Sequence, residues 1–108
     1  MSLTADPPAG VVAAAGGTLE HNLVNSGTEK LIFKVRSSNN NEYRVKPVYG
    51  FVDPSGTTTL NITRLAGPAK EDKIVVQFAP CPPDATDATA AFAAVQPSGN
   101  VTIPITAQ

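Results

Sequence analysis

Few side chains in this sequence carry the chemistry of a catalytic site. His21 is the only histidine and Cys81 the only cysteine. General acid–base work or an activated thiol needs a second group placed beside the first. His21 falls within the alternating stretch Thr18–Val24, whose neighbours read as a half-buried strand, so its ring is expected to pack rather than move protons. Cys81 stands in Pro80-Cys81-Pro82-Pro83, and prolines lack the backbone N–H groups that would stabilise a thiolate. A single cysteine makes neither an internal disulfide nor a thiolate metal cage, and the cytosol is its default compartment. The carboxylates are scattered apart from Glu71-Asp72, which reads as a solvated turn, so neither a glycosidase pair nor a metal site is suggested. Gly50, Gly56 and Gly67 belong to no phosphate-binding loop. These residues point away from an enzyme and imply no metal and no cofactor.

The basic residues say more. All 8 lysines and arginines lie between Lys30 and Lys73. Within Lys30–Ser37, alternation puts Leu31, Phe33 and Val35 on one side and Lys30, Ile32, Lys34 and Arg36 on the other. Tyr43–Lys46 likewise sets Tyr43 and Val45 against Arg44 and Lys46. If these two strands adjoin, then Lys34, Arg36, Arg44 and Lys46 form one positive patch that Lys73 extends. Such a patch attracts acidic peptides, phosphorylated segments or anionic head groups. The alternative is an ordinary solvated face. Nucleic acid is disfavoured by the net charge of −1 and by an aromatic content of 6%, with Tyr43 and Tyr49 the only candidate stacking groups. An unpaired sheet edge offers another route to a partner protein or a second copy.

The elements that position these residues are strands. A chain of 108 residues suits one domain, 1–108, and 42% hydrophobic with 16% charged residues suits a folded, non-membrane protein. No apolar run approaches a membrane span, and Met1–Gly10 lacks the pattern of a secretory leader. The sequons at Asn61 and Asn100 are read as chance. Ten prolines and eight glycines break the chain too often for long helices. Asn25-Ser26-Gly27-Thr28 is expected to close a hairpin between Thr18–Val24 and Lys30–Ser37, through residues that tolerate positive φ. Pro47 should end the Tyr43–Lys46 strand or hold it at an edge. Asp53-Pro54-Ser55-Gly56 reads as a tight turn from Phe51-Val52 into Thr57–Arg64. Lys73–Ala79 and the stretch carrying Val101, Ile103 and Ile105 supply two more strands. The alanine-rich 84–95 segment admits one short helix. Seven short strands in about a hundred residues predict an all-β, immunoglobulin-like antiparallel sandwich.

At Phe33-Lys34-Val35-Arg36-Ser37-Ser38, then Tyr43-Arg44-Val45-Lys46-Pro47 and Gly50-Phe51-Val52-Asp53-Pro54, the chain resembles the major sperm protein domain family. Asp6-Pro7-Pro8, Leu23-Val24-Asn25 and Asp72–Phe78 also resemble family segments, and the chain is most similar to the small single-domain sperm-specific proteins of nematodes. The resemblance implies a seven-stranded sandwich of the kind shared with PapD-like domains. It implies a non-enzymatic role in the cytoplasm or cytoskeleton of sperm, through contacts with other proteins, including itself or other sperm proteins of the family. Membrane-tethered relatives bind acidic peptides containing two phenylalanines, and carry a coiled coil and anchor after the domain. This chain ends at Gln108 without either, so a receptor of that type is not expected. On the matching positions, Arg36 and Lys73 would contact an acidic tract, Ser37 and Ser38 stand at the adjoining Thr-Thr pair, and Val75 stands where a pocket methionine would be. The shorter, branched valine implies a differently shaped pocket.

Overall fold

The structure, a computed structural model, describes residues 3–108. The period-two alternation resolves into nine strands and a short helix among them: β1 (Leu3–Asp6), β2 (Gly10–Val12), β3 (Gly17–Asn25), β4 (Leu31–Ser37), β5 (Tyr43–Lys46), β6 (Tyr49–Val52), β7 (Thr57–Arg64), β8 (Glu71–Pro80), α1 (Ala88–Phe92) and β9 (Gly99–Ala107). One sheet has the order β1-β3-β7-β5 and the other β2-β9-β8-β4-β6. The expected all-β sandwich is therefore present, and its seven predicted strands are β3 to β9. The additional strands β1 and β2 are only four and three residues long, too short to show a period in the sequence. β2 runs parallel to β9, the one departure from antiparallel pairing among the described strands.

Alternation also explains the core. Leu23, Phe33, Leu60, Ile62, Ile74, Val76, Ile103 and Ile105 are each at most 1% exposed and meet between the sheets. Burying each such side chain is worth about 1.5–3 kcal/mol. Gly50 is opposite Phe33 across β4 and β6, and a Cβ there would come within 2.7 Å of the Phe33 ring. A glycine at that position lets the phenylalanine fold against the strand.

The expected hairpin at Asn25–Thr28 does not form. β3 pairs with β1 and β7, while β4 pairs with β6 and β8, so the connection crosses from one sheet to the other. None of Asn25, Ser26, Gly27 and Thr28 has positive φ. Asn25 acts through hydrogen bonds instead. Its side chain is buried and its Nδ2 donates to the carbonyls of Glu29, Val52 and Asp53, while its Oδ1 accepts from Gly27 N. The same residue thereby ties together both crossings, β3 to β4 and β6 to β7. The second is the tight turn expected at residues 53–56, closed by Gly56 N donating to Asp53 O at 2.9 Å, with Ser55 at φ 55°. β5 stops at Lys46 and forms an edge of its sheet, as Pro47 requires.

The helix occupies only Ala88–Phe92 of the 84–95 segment, with the Asp87 carboxylate capping Thr89 N and Ala90 N. Phe92 alone in it is buried; short alanine-rich helices need such an anchor. Phe92 packs with Ile32 and Ala79 in a second apolar cluster and meets Tyr49 edge-on at 6.1 Å. Ile32, on the outward side of β4, is consequently 0% exposed.

Candidate functional site

Beyond the part covered by α1, the outer face of the five-stranded sheet presents Arg36, Lys73, Thr102 and Pro104 exposed. Arg36 on β4 stands opposite Val75 on β8, which stands opposite Thr102 on β9. Arg36, Ser37, Ser38, Lys73 and Val75, with Gln77 and Asn100, line a shallow groove of about 240 Å³. Five of the predicted site residues are thus brought together, although they come from two stretches about forty positions apart in the chain.

Within this groove the two serines are already engaged. Ser37 Oγ donates to Asn39 O and accepts from Asn39 N, both at 3.0 Å. Ser38 Oγ donates to Asp72 Oδ1 at 3.0 Å and accepts from Lys73 N at 2.9 Å. Ser37 shapes the end of β4 and Ser38 binds it to β8, while Arg36 and Lys73 are the exposed cations of the groove.

The other predicted residues are distributed differently. β5 belongs to the opposite sheet and does not pair with β4, so no continuous four-residue patch forms. Arg44 nevertheless comes beside Arg36: both line a slot of about 420 Å³ at the side of the sandwich, with Val35, Ser37, Asn40, Tyr43, Val45 and Val48. Lys34 turns toward Tyr49, its ammonium 5.5 Å from the ring centroid, and lines neither groove nor slot. Lys46, opposite Asn61, also lines neither. Arg64 leaves the basic surface altogether. It is 2% exposed, stacks its guanidinium over Tyr43 at 5.2 Å, and donates to the carbonyls of Ala14 and Pro68.

Three residues have roles that the sequence reading did not assign. Asn39 is 5% exposed; its Oδ1 accepts from Asn41 N and Glu42 N, and its Nδ2 donates to Glu42 and Asp72. Asp72 begins β8 with Glu71 rather than lying in a solvated turn, and its side chain is 8% exposed. Together these side chains hold the loop that carries Asn40 and leads to Arg44. The Asn39-Asn40-Asn41 run was the available signal, since asparagine favours such side-chain to backbone bonds. Ile32 was visible as an unbroken Leu31-Ile32-Phe33 triplet, a sign that both strand faces are covered.

The groups that could have done chemistry are occupied by packing. His21 is 1% exposed and its Nδ1 lies 2.7 Å from Pro7 O. Cys81 Sγ donates to Pro82 O at 3.3 Å beside the cluster under α1. Among the described residues no three His, Cys, Asp or Glu side chains are grouped to hold a metal ion, and no helix is long and apolar enough to cross a membrane.

Two facing sheets of this strand order define an immunoglobulin-like β-sandwich domain. The chain belongs to the MSP (major sperm protein) domain family, whose model matches residues 2–101. It is 69% identical over 107 residues to sperm-specific class P protein 16 of Caenorhabditis elegans, covering 99% of this chain and 98% of that protein. The solved structure of SSP-19, an MSP-domain protein-like family member from the same nematode, superposes with a TM-score of 0.96 at 64% identity, covering 98% of this chain and 99% of that one. The Escherichia coli chaperone DraB, 17% identical with a TM-score of 0.74 over 99% of this chain and 54% of that one, shares the fold alone.

Proposed function

We propose that this chain is a single MSP-type domain that works in the cytoplasm of nematode sperm as a non-enzymatic structural or accessory component of the cytoskeletal and motility machinery, through contacts with other proteins. Those partners include further copies of itself or other sperm proteins of the family. The observation that carries this reading is the end-to-end similarity to a sperm-specific protein at 69% identity. The engagement of His21 and Cys81 with backbone carbonyls supports the absence of catalysis. Immunostaining and fractionation of spermatozoa test it: the protein is expected in the sperm cytoplasm and enriched in the cytoskeletal pellet. Expression confined to other tissues, or recovery wholly outside that pellet, contradicts it.

A second reading, an adaptor that captures an acidic or phosphorylated peptide, is favoured by one local observation. Arg36 of β4 and Lys73 of β8 are both exposed and line the groove that contains Val75, where two cations can share a polyanionic segment. Charge reversal at both positions should abolish capture of such a peptide, and unchanged capture removes the reading.

A further inference from the structure

We propose that the narrow side of the sandwich crossed by residues 46–49 docks on an anionic lipid bilayer, with Val48 at the contact and Lys34, Arg36, Arg44 and Lys46 around it. This goes beyond a role among cytoskeletal proteins and beyond the outer-face groove, because its partner is a lipid surface and its contact lies on residues that the groove does not contain.

Charge supplies the first argument. Residues 30–48 carry five lysines and arginines against one carboxylate, Glu42, whereas the rest of the chain carries three against eight. The net charge of −1 therefore hides a basic segment within an acidic remainder, and such a molecule turns its basic side toward a negative surface. The fold keeps this segment together. β4 belongs to one sheet and β5 to the other, and residues 46–49 carry the chain from β5 round to β6, where Val35 N donates to Val48 O at 2.7 Å. Lys34 and Arg36 hold outward positions on β4, and Arg44 and Lys46 hold outward positions on β5, so the four cations flank this side from both faces of the sandwich. Arg36 and Arg44 reach round far enough to line one slot with Val48. Glu42 does not line that slot, and its carboxylate accepts from Asn39 Nδ2 at 3.2 Å.

The apolar contact comes from the same connection. Val48 is 44% exposed; Val11 and Leu65, the other large apolar side chains exposed among the described residues, stand outside the basic segment. An exposed valine ringed by cations suits the boundary between head groups and acyl chains, where the apolar group enters and the charges stay with the phosphates. Tyr49 follows it, half-buried, with the Lys34 ammonium 5.5 Å from its ring centroid, and an amphipathic ring of this kind belongs at such a boundary. Arg44 is held by Nη1 bonds to the carbonyls of Asn40, Asn41 and Tyr43, so its guanidinium is oriented before any head group arrives. One small apolar side chain inserts little area, which makes the attraction mainly electrostatic and sensitive to salt.

The test sediments the full chain with vesicles of phosphatidylcholine and phosphatidylserine in equal parts, and with vesicles of phosphatidylcholine alone. The chain is expected to bind the first at low ionic strength, to leave them as salt rises, and not to bind the second. K34E combined with K46E should weaken binding at least about tenfold, and K70E combined with K73E, the same charge change outside the basic segment, by less than about threefold. The chain has no tryptophan, so Val48→Trp supplies a single reporter whose emission should shift to the blue on the mixed vesicles. Thr59→Trp, on the exposed outer face of the four-stranded sheet, should show no shift, and these two variants keep the test valid if a double variant does not fold. Equal losses from the two double variants would overturn the proposal, as would an unshifted emission from vesicle-bound V48W. Full displacement by soluble glycerophosphoserine would reveal an isolated anion site in place of a docking surface and overturn it. Failure to sediment with the mixed vesicles, or capture of a polyglutamate peptide in their place, overturns it too.

Discussion

Ile32 and Arg36 occupy equivalent outward positions on β4, yet one is 0% exposed and the other lies open beside two grooves. The strand is regular throughout, so backbone geometry does not separate them. Coverage does: α1 brings Phe92 over Ile32 and Ala79, whereas Arg36 is left exposed. One end of the sheet face is an extension of the core, and the other is open to solvent at Arg36 and Lys73. The recognition we propose for Arg36 would therefore sit on the same strand as the packing that Ile32 supplies.

Removing side chains from the covered end should have the largest effect. Ile32→Ala is expected to lower unfolding free energy by about 3 kcal/mol, the usual cost of such a buried truncation, read as a lower urea midpoint. Where the two ends meet, Asp72→Asn weakens the carboxylate that receives Ser38 and Asn39. A loss of about 1–2 kcal/mol follows, with faster amide exchange around Asn41 and Glu42. Asp87→Ala removes the cap of α1 and should cost about 1 kcal/mol, detectable as faster exchange at Ala91 while β8 stays protected. At the bare end, Arg36→Glu should move stability by no more than about 0.5 kcal/mol. If Ile32→Ala were as mild as Arg36→Glu, the distinction between the ends would fail.

How much of this was legible in the sequence follows from the same contrast. Side-chain period along one strand is local, so Leu31, Phe33 and Val35 could be placed inside and Arg36 outside, and the stop at Lys46 followed from Pro47. Which strand lies beside which is not local. Asn25-Ser26-Gly27-Thr28 has hairpin composition, but the hydrogen bonds that decide its path go to Val52 and Asp53, far along the chain. For the same reason the alternation of Arg44 and Lys46 was readable while their assignment to the other sheet was not. Arg64 shows the limit for charge: its outward-looking type gives no hint that Ala14, Pro68 and Tyr43 enclose it. Of the groove residues, Arg36 and Lys73 were read from charge and alternation as well as from family resemblance, and Ser37, Ser38 and Val75 from the resemblance; only the fold shows that Ser37 shapes the loop after β4 while Ser38 ties β4 to β8.

The central claim is that the bare end of β4 is where this protein meets other proteins. Retention of the wild-type chain and of its R36E/K73E variant in the cytoskeletal pellet of sperm lysate, with thermal midpoints measured alongside, tests it most directly. The account predicts that the variant is lost from the pellet while its midpoint stays within about 2 °C. Equal retention of a variant folded as well as the wild type would contradict it.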